Sequence, residues 1–198
     1  MTARETLFSA TFLMSASPAE VWRHLREPEL LHRWFGWHGP EFDSEIAGLS
    51  GEFSEVRRDG HDLVIGDHRM ALRAAGADTE LRLDRTGRSG ADDTEIDEGW
   101  VTFLEQLRYV IAVRPEGARH TFIVADAPAT QIPWKCAEWA RSAHQRTVVV
   151  PSWGQVQLTV LRPAPDGPDA RVVVNGYGRT DRVAEEQHAA VAAWVAHL

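Results

Sequence analysis

The chain has 198 residues, of which 43% are hydrophobic and 25% are charged, and its formal net charge is -8. These proportions are typical of a folded globular protein, and no apolar run approaches the roughly 20 residues that span a bilayer. Acidic residues outnumber basic ones by 29 to 21, and this excess repels phosphate backbones, so nucleic acid is not expected as a partner. Because no basic region followed by an apolar stretch opens the chain, we expect a cytoplasmic protein without membrane insertion.

The first half opens with a predicted strand over residues 5–15, followed by a helix start. Ser17 is suited to cap a helix, and Pro18 fits the first helical position, where its missing N–H costs nothing. A second helix is predicted from Pro28, with apolar residues up to Trp34 and Phe35 at helical spacing.

Residues 41–86 read as short strands and turns, and an aromatic helix follows. Strands are predicted over residues 52–57, 62–65, 69–74 and 79–84, with Asp59-Gly60 as a tight turn. After a polar, acidic loop over residues 87–95, Asp97 is placed to cap a helix. The apolar stripe of that helix consists of Trp100, Phe103, Leu104, Leu107 and Ile111.

The segment 115–117 predicts a boundary, beyond which the sequence begins again. Residues 11–19 can be laid on residues 121–129 at an offset of 110. A helix carrying Trp134, Cys136 and Trp139 is predicted next, then three strands over 146–150, 155–161 and 171–175, a loop at 163–169, and a closing helix with Val191, Trp194, Val195 and Leu198. On this prediction the second half has fewer strands than the first. Two interpretations stay open: an internal duplication, or one domain with an added helix-and-hairpin extension.

Several of these segments together resemble a known superfamily. The segments that carry the resemblance are Ser15-Ala16-Ser17 with Pro18-Ala19-Glu20-Val21-Trp22, Pro28 with Leu30, Trp34-Phe35-Gly36, the strand 79–83 ending at Gly87, and Gly99-Trp100 with Phe103, Leu104 and Leu107. They resemble the START-like (SRPBCC, helix-grip) superfamily, and within it the branch named after the activator of the heat-shock protein 90 ATPase. The resemblance covers about residues 5–113, and residues 172–177 with His188 and Trp194 look like a weaker copy of the same ending.

The resemblance implies an α+β fold in which an antiparallel sheet curls around a long C-terminal helix and leaves an apolar pocket between them. Residues 1–114 would form the START-like domain, and residues 115–198 a shortened second repeat or an α+β extension packed on the first. Members of the superfamily bind lipids, sterols, polyketides or other proteins, and a minority are cyclases or hydrolases. Because the strand region of the first half is short, we expect a small pocket or one partly filled by side chains.

Eight tryptophans supply candidates for the wall of such a pocket. Aromatic walls favour flat, apolar ligands. The residues expected to bind the ligand are Trp34, Phe35, Trp37, Met70, Leu72, Trp100, Phe103 and Leu107. For Trp34 and Trp37, filling of the core is the alternative.

No catalytic set stands out. A serine-nucleophile elbow and a dinucleotide fingerprint are absent, and the nine histidines lack the spacing of a metal site, so we expect neither metal nor cofactor. A histidine or carboxylate pointing into an apolar pocket would have a displaced pKa and could act as an acid or base. His38, Glu41 and Asp43 are the weak candidates, with an exposed polar loop as the alternative. Cys136, the only cysteine, is expected to be a packing residue.

Three functions therefore remain open. The first is a non-enzymatic START-like protein that holds a small hydrophobic or aromatic ligand. The second is an interaction protein, either co-chaperone-like or a homodimer. The third is an enzyme of the polyketide cyclase or dehydratase type.

Overall fold

The chain divides into two compact units, Met1–Arg114 and Pro115–Leu198, which we call unit 1 and unit 2. The computed structural model describes residues 6–51, 54–57, 62–87, 93–125, 132–162 and 170–196. The elements of unit 1 are β1 (Thr6–Met14), α1 (Pro18–Arg26), α2 (Pro28–Leu31), α3 (Phe42–Ser50), β2 (Ser54–Arg57), β3 (Asp62–Ile65), β4 (His68–Ala75), β5 (Asp78–Thr86) and α4 (Asp93–Val113).

Unit 1 is built on a five-stranded antiparallel sheet with the strand order β1-β5-β4-β3-β2. Strands β2 to β5 follow one another as a meander, and β1 pairs with the free side of β5. In this register Leu81 on β5 lies opposite both Phe12 on β1 and Leu72 on β4, and all three side chains are buried. Helix α4 packs against β1, and α1 packs against β4 and β5.

The start of α1 follows the predicted chemistry. Ser17 Oγ accepts a hydrogen bond from the backbone N–H of Glu20 at 3.3 Å, and proline occupies the first turn. Val21 and Leu25 are buried on one face. Because an isolated helix of nine residues is marginal in water, this packing accounts for most of its stability.

The structure corrects three predictions in unit 1. Helix α3 lies within the region predicted as short strands and turns, and its residues Ile46 and Leu49 are buried. Helix α2 ends at Leu31, so the aromatic pair that follows is held by turns instead of a helix. Helix α4 already begins at Asp93, so Asp97 is a buried residue of its second turn and not a cap. The predicted Asp59-Gly60 turn lies outside the described residues.

Unit 2 also contains a five-stranded antiparallel sheet followed by a helix. Its elements are β6 (Arg119–Val124), β7 (Ala137–Arg141), β8 (Gln145–Val149), a 3-10 turn (Pro151–Trp153), β9 (Val156–Leu161), β10 (Arg171–Tyr177) and α5 (Asp181–Ala196). The strand order is β6-β10-β9-β8-β7. A row of core residues crosses four strands in register: Phe122, Val174, Leu158 and Val148. Val191 of α5 is buried in the same core.

The helix predicted around Trp134, Cys136 and Trp139 is wrong. Residues 137–141 form β7, which pairs with β8 as a hairpin. Trp134 and Cys136 are two residues apart, and both are partly buried against the core. A spacing of two residues on one face is the periodicity of an extended chain and not of a helix. The prediction that the second half has fewer strands is therefore also wrong. The predicted loop 163–169 and Leu198 lie outside the described residues.

The predicted α+β class is confirmed, with the helix-grip arrangement of an antiparallel sheet followed by a long helix. The two sheets have the same connectivity, because the first strand of each unit pairs with its last. No helix among the described residues is long and apolar enough to cross a lipid bilayer.

Candidate functional site

Five aromatic side chains of unit 1 gather where the turn after α2 meets α4. We call Trp34, Phe35, Trp37, Trp100 and Phe103 the aromatic cluster. Phe35 lies at its centre, with its ring centroid 5.7 Å from Trp34, 5.8 Å from Trp100 and 5.0 Å from Phe103. The ring of Trp37 lies 4.5 Å from that of Phe103. These separations are in the range of favourable aromatic pairs.

The turn after α2 fixes the aromatic side chains through Trp34. Its indole is fully buried, and its Nε1–H donates to the carbonyl oxygen of His24 in α1 at 2.9 Å. Trp34 is therefore an internal anchor of the turn. Gly36 then reverses the chain with a φ of +68°, and a Cβ at this position would lie 3.0 Å from the ring of Phe42. Trp37 follows this bend and is only half-buried.

The aromatic cluster has a buried side and a solvent side. Phe35 is buried, whereas Trp37, Trp100 and Phe103 are half-buried. On α4, Ile96 precedes Trp100 by one turn on the same face and is 50% exposed. The cluster therefore presents aromatic surface to solvent. The other three predicted ligand-binding residues, Met70, Leu72 and Leu107, are core side chains with exposed fractions of 1%, 5% and 0%.

A buried charged network adjoins the aromatic cluster. Asp97 of α4 accepts hydrogen bonds from Arg85 Nε at 2.7 Å and from a terminal nitrogen of Arg85 at 3.0 Å. Its Oδ1 also lies 3.0 Å from His68 Nε2. A second carboxylate, Asp93, lies 3.0 Å from Arg85 Nη1. We call these four residues the His68 network; it connects β4 and β5 to the first two turns of α4.

Burial decides the charge state of His68. Desolvation lowers the pKa of His68 below its usual value, the hydrogen bond to Asp97 opposes this effect, and the positive charge of Arg85 adds to it. The hydrogen bond to Asp97 in turn raises the pKa of Arg85. The lowered pKa favours the neutral imidazole of His68, which is oriented by a carboxylate whose own charge is balanced by arginine. Such a group can accept a proton.

His68 also touches the aromatic cluster, since its ring centroid lies 5.7 Å from that of Trp100. His68 is not among the site residues that the sequence predicts. The signal that could have identified it is the strand period: His68 shares the buried face of β4 with Met70 and Leu72. For Asp97 the sequence predicts a helix cap, whereas its partners in the structure, His68 and Arg85, lie 29 and 12 residues away in sequence.

The predicted weak catalytic residues lie elsewhere. His38 and Glu41 are exposed, and the side chain of Asp43 is 92% exposed. His38 packs against Phe42 at a centroid distance of 4.8 Å, and Asp43 lies 3.8 Å from His32. The structure therefore places all three on the surface around the start of α3. Within the described residues, no group of three or more His, Cys, Asp or Glu side chains is arranged to hold a metal ion.

Comparisons with protein-family models and with curated proteins find no match for the chain. Among solved structures, it is similar to the crystal structure of DynU16, a protein in the dynemicin biosynthetic locus. The sequence identity is 14%, the TM-score is 0.41, and the alignment covers 94% of each chain. A likeness of this degree carries no information on activity. Membership of the heat-shock protein 90 ATPase activator branch stays a prediction.

Proposed function

We propose that the chain binds a small hydrophobic or aromatic ligand at the aromatic cluster of unit 1. The observation that carries this proposal is that three half-buried aromatic side chains, Trp37, Trp100 and Phe103, face solvent around the buried ring of Phe35. They come from two elements, the turn after α2 and helix α4. Exposed aromatic surface held in place from beneath is a suitable platform for a flat apolar molecule.

The energetics fit a ligand of modest size. Covering about 100 Å² of apolar surface gains roughly 2.5 kcal/mol, and each well-placed aromatic pair adds about 0.5–1.5 kcal/mol. The platform needs little ordering on binding, because Trp34 and the hydrogen bond to His24 already hold the turn. Pre-organisation of this kind lowers the entropic cost of association.

A second function is favoured by one specific observation, the contact of His68 with Trp100. A neutral imidazole beside the aromatic platform could remove a proton from a bound polyketide-like ligand, as an enzyme of the cyclase or dehydratase type would. Asp97 would then stabilise the imidazolium that forms. In this case His68, and not His38, Glu41 or Asp43, is the acid–base residue.

The binding proposal is tested with a neutral fluorescent probe, N-phenyl-1-naphthylamine, titrated into the full chain. Trp100→Ala should weaken binding about 10- to 100-fold, which corresponds to about 1.4–2.8 kcal/mol. Trp22→Ala is the matched control, because Trp22 is a half-buried tryptophan of α1 that does not belong to the cluster. Circular dichroism shows whether both variants fold. Equal weakening in the two folded variants, or none in Trp100→Ala, would contradict the proposal.

Native mass spectrometry of freshly purified protein, compared with its denatured mass, separates the remaining functions. A discrete excess mass that is lost on denaturation would support a retained ligand. If that ligand is recovered unchanged after prolonged incubation, the carrier function stands; conversion that stops in His68→Gln would instead support the enzyme. A dimer without excess mass would favour an interaction protein that uses the exposed aromatic surface.

A further inference from the structure

Unit 2 contains a cleft of its own, with a volume of about 240 Å³. One wall is a face of α5, and the other is formed by the 3-10 turn and the segment between β10 and α5. The cleft is lined by Ser152, Trp153, Arg179, Val183, Glu186, Gln187 and Ala190. The four residues from α5 have the spacing of a single helix face. This volume lies below the 300–1,000 Å³ of typical small-molecule pockets, so the cleft suits a molecule with one ring.

Two polar side chains of the cleft are incompletely satisfied. Gln187 is only 6% exposed, and its amide lies beside the ring of His120, whose pKa it raises by hydrogen bonding, although Gln187 Oε1 and His120 Nε2 do not meet in a well-formed hydrogen bond. Nε of Arg179 has no hydrogen-bond partner among the described residues. A buried polar atom without a partner is destabilising, because it has lost its hydrogen bonds to water. Such groups in native proteins are commonly completed by a water or a ligand.

The charge at the cleft is suited to an anion. Arg179 donates to the carbonyl oxygen of Trp153, and in the described part of the chain no carboxylate lies within ion-pair distance of it. The other charged residue of the wall, Glu186, is paired with Arg182. Unit 2 has eight basic and eight acidic residues, so the whole net charge of the chain belongs to unit 1. An anionic ligand is therefore not repelled by the net charge of unit 2, and it can pair with the guanidinium of Arg179.

Trp153 supplies the aromatic part of the wall. Its ring lies 4.5 Å from that of Trp134 in a tilted arrangement, and Trp134 meets Trp194 edge to face at 5.4 Å. All three are partly buried against the core of unit 2, so Trp153 is held from behind. Val183 and Ala190 add aliphatic surface on the side of α5. A ligand ring can pack against Trp153 as a further aromatic pair.

We propose that this cleft is a second binding site, for a monocyclic aromatic carboxylate that also carries a hydroxyl or amide donor. Arg179 binds the carboxylate, Trp153 packs against the ring, and Oε1 of Gln187 accepts from the donor. The terminal torsion of a glutamine side chain is soft, so the amide can turn from the ring of His120 toward the ligand. The proposal does not depend on the aromatic cluster of unit 1.

The test is calorimetric titration of the full chain with salicylate, which has the carboxylate, the ring and the donor. Benzoate lacks the donor, and benzyl alcohol lacks the carboxylate, so affinity should fall in the order salicylate, benzoate, benzyl alcohol. Arg179→Met should weaken salicylate binding at least tenfold. Arg141→Met should leave it unchanged, because Arg141 is an exposed arginine of the same unit that pairs with Glu138.

A second variant keeps the test decisive if Arg179→Met fails to fold. Ala190→Leu fills the cleft, retains both polar side chains and substitutes one good helix former for another. It should also abolish salicylate binding. Retained binding in folded Ala190→Leu, no saturable binding by the wild type, or equal affinity for benzyl alcohol would overturn the proposal.

Trp100→Ala separates the two sites. It should leave salicylate binding unchanged even where it weakens binding of the naphthylamine probe to unit 1. Loss of salicylate binding in Trp100→Ala would assign that ligand to the aromatic cluster and overturn the assignment to unit 2.

Discussion

Replacing Asp97 by asparagine tests whether the His68 network secures α4 to the sheet of unit 1. Asp97→Asn keeps the shape of the side chain and removes a charge that is 94% buried beside Arg85, itself 91% buried. Arg85 then retains one counter-charge, Asp93, at 3.0 Å. Removing one partner of a buried ion pair costs about 3–5 kcal/mol when the other charge is left uncompensated. Because Asp93 remains, we expect a loss of about 3 kcal/mol, at the lower end of that range.

The assay is urea unfolding followed by circular dichroism. A chain of two units can unfold in two transitions, and only that of unit 1 should shift in Asp97→Asn. Glu20→Gln is the matched control, because Glu20 pairs with Arg114 in the same unit, where the two side chains are 38% and 75% exposed. Pairs screened by solvent contribute about 0–1 kcal/mol. Similar losses in the two variants would refute the argument that burial makes the Asp97 pair important.

Two further predictions concern pH and backbone conformation. Burial lowers the pKa of both His68 and His120, so the unfolded chain binds protons at a higher pH than the folded chain does. Urea unfolding should therefore show the free energy of unfolding falling as the pH drops below about 6.5. His68→Gln should reduce this pH dependence in unit 1 only, and an unchanged pH dependence would contradict a lowered pKa for His68. Gly154→Ala should cost about 1–3 kcal/mol in thermal unfolding, because Gly154 has a φ of +80° and the added Cβ would lie 1.4 Å from a nitrogen of Arg179. The control Gly66→Ala, with a φ of +58° and open space around it, should cost less, and equal losses would show that Arg179 simply moves aside.

The local chemistry of the chain was sufficient to predict much of unit 1. Ser17 and Pro18 define the start of α1, because the capping hydroxyl of Ser17 and the N–H group that it binds are only three residues apart. The strand predicted over 62–65 coincides with β3, and the strand over 79–84 lies within β5, because turn residues and alternating side chains mark both. These signals are local, so tertiary packing need not be known to interpret them.

The predictions failed where local preference and packing disagree. The sequence predicts a helix carrying Trp134, Cys136 and Trp139, but β7 is stabilised by pairing with β8, which the sequence of a short segment does not reveal. Asp97 has the chemistry of a helix cap, and the helix nevertheless begins four residues earlier at Asp93. Its carboxylate instead compensates Arg85, a residue on another element.

The candidate site also contains some residues that the sequence predicts and others that it does not. Phe35, Trp37, Trp100 and Phe103 are predicted as walls of the pocket that the family resemblance implies, and the structure brings them together, while Met70, Leu72 and Leu107 lie in the core. The His68 network was not predicted because its members are brought together by the register of β4 and β5 and by the position of α4. Charged residues on a strand are interpreted as exposed unless their partners are known.

The strand registers of the two units bear on the predicted internal repeat. The sequence offset of 110 places Phe122 on Phe12, and the structure gives each the same position, on the first strand and opposite a fully buried residue of the last strand. That residue, Leu81 or Val174, in turn lies opposite a buried leucine of the preceding strand. The shared position of Phe12 and Phe122 supports an internal duplication.

We therefore propose that the two units descend from one duplicated segment. Unit 1 is longer because α1, α2 and α3 lie between its first two strands, whereas β6 and β7 are joined by residues 125–136. The elements that would contact the proposed ligands therefore differ between the two units. In unit 1 the inserted turn after α2 supplies aromatic rings that meet α4, whereas in unit 2 the turn before β9 supplies Trp153 opposite α5. In both cases the helix that follows the last strand forms one wall. The opposite wall comes from different connections: the one between the first two strands in unit 1, and those before β9 and before α5 in unit 2.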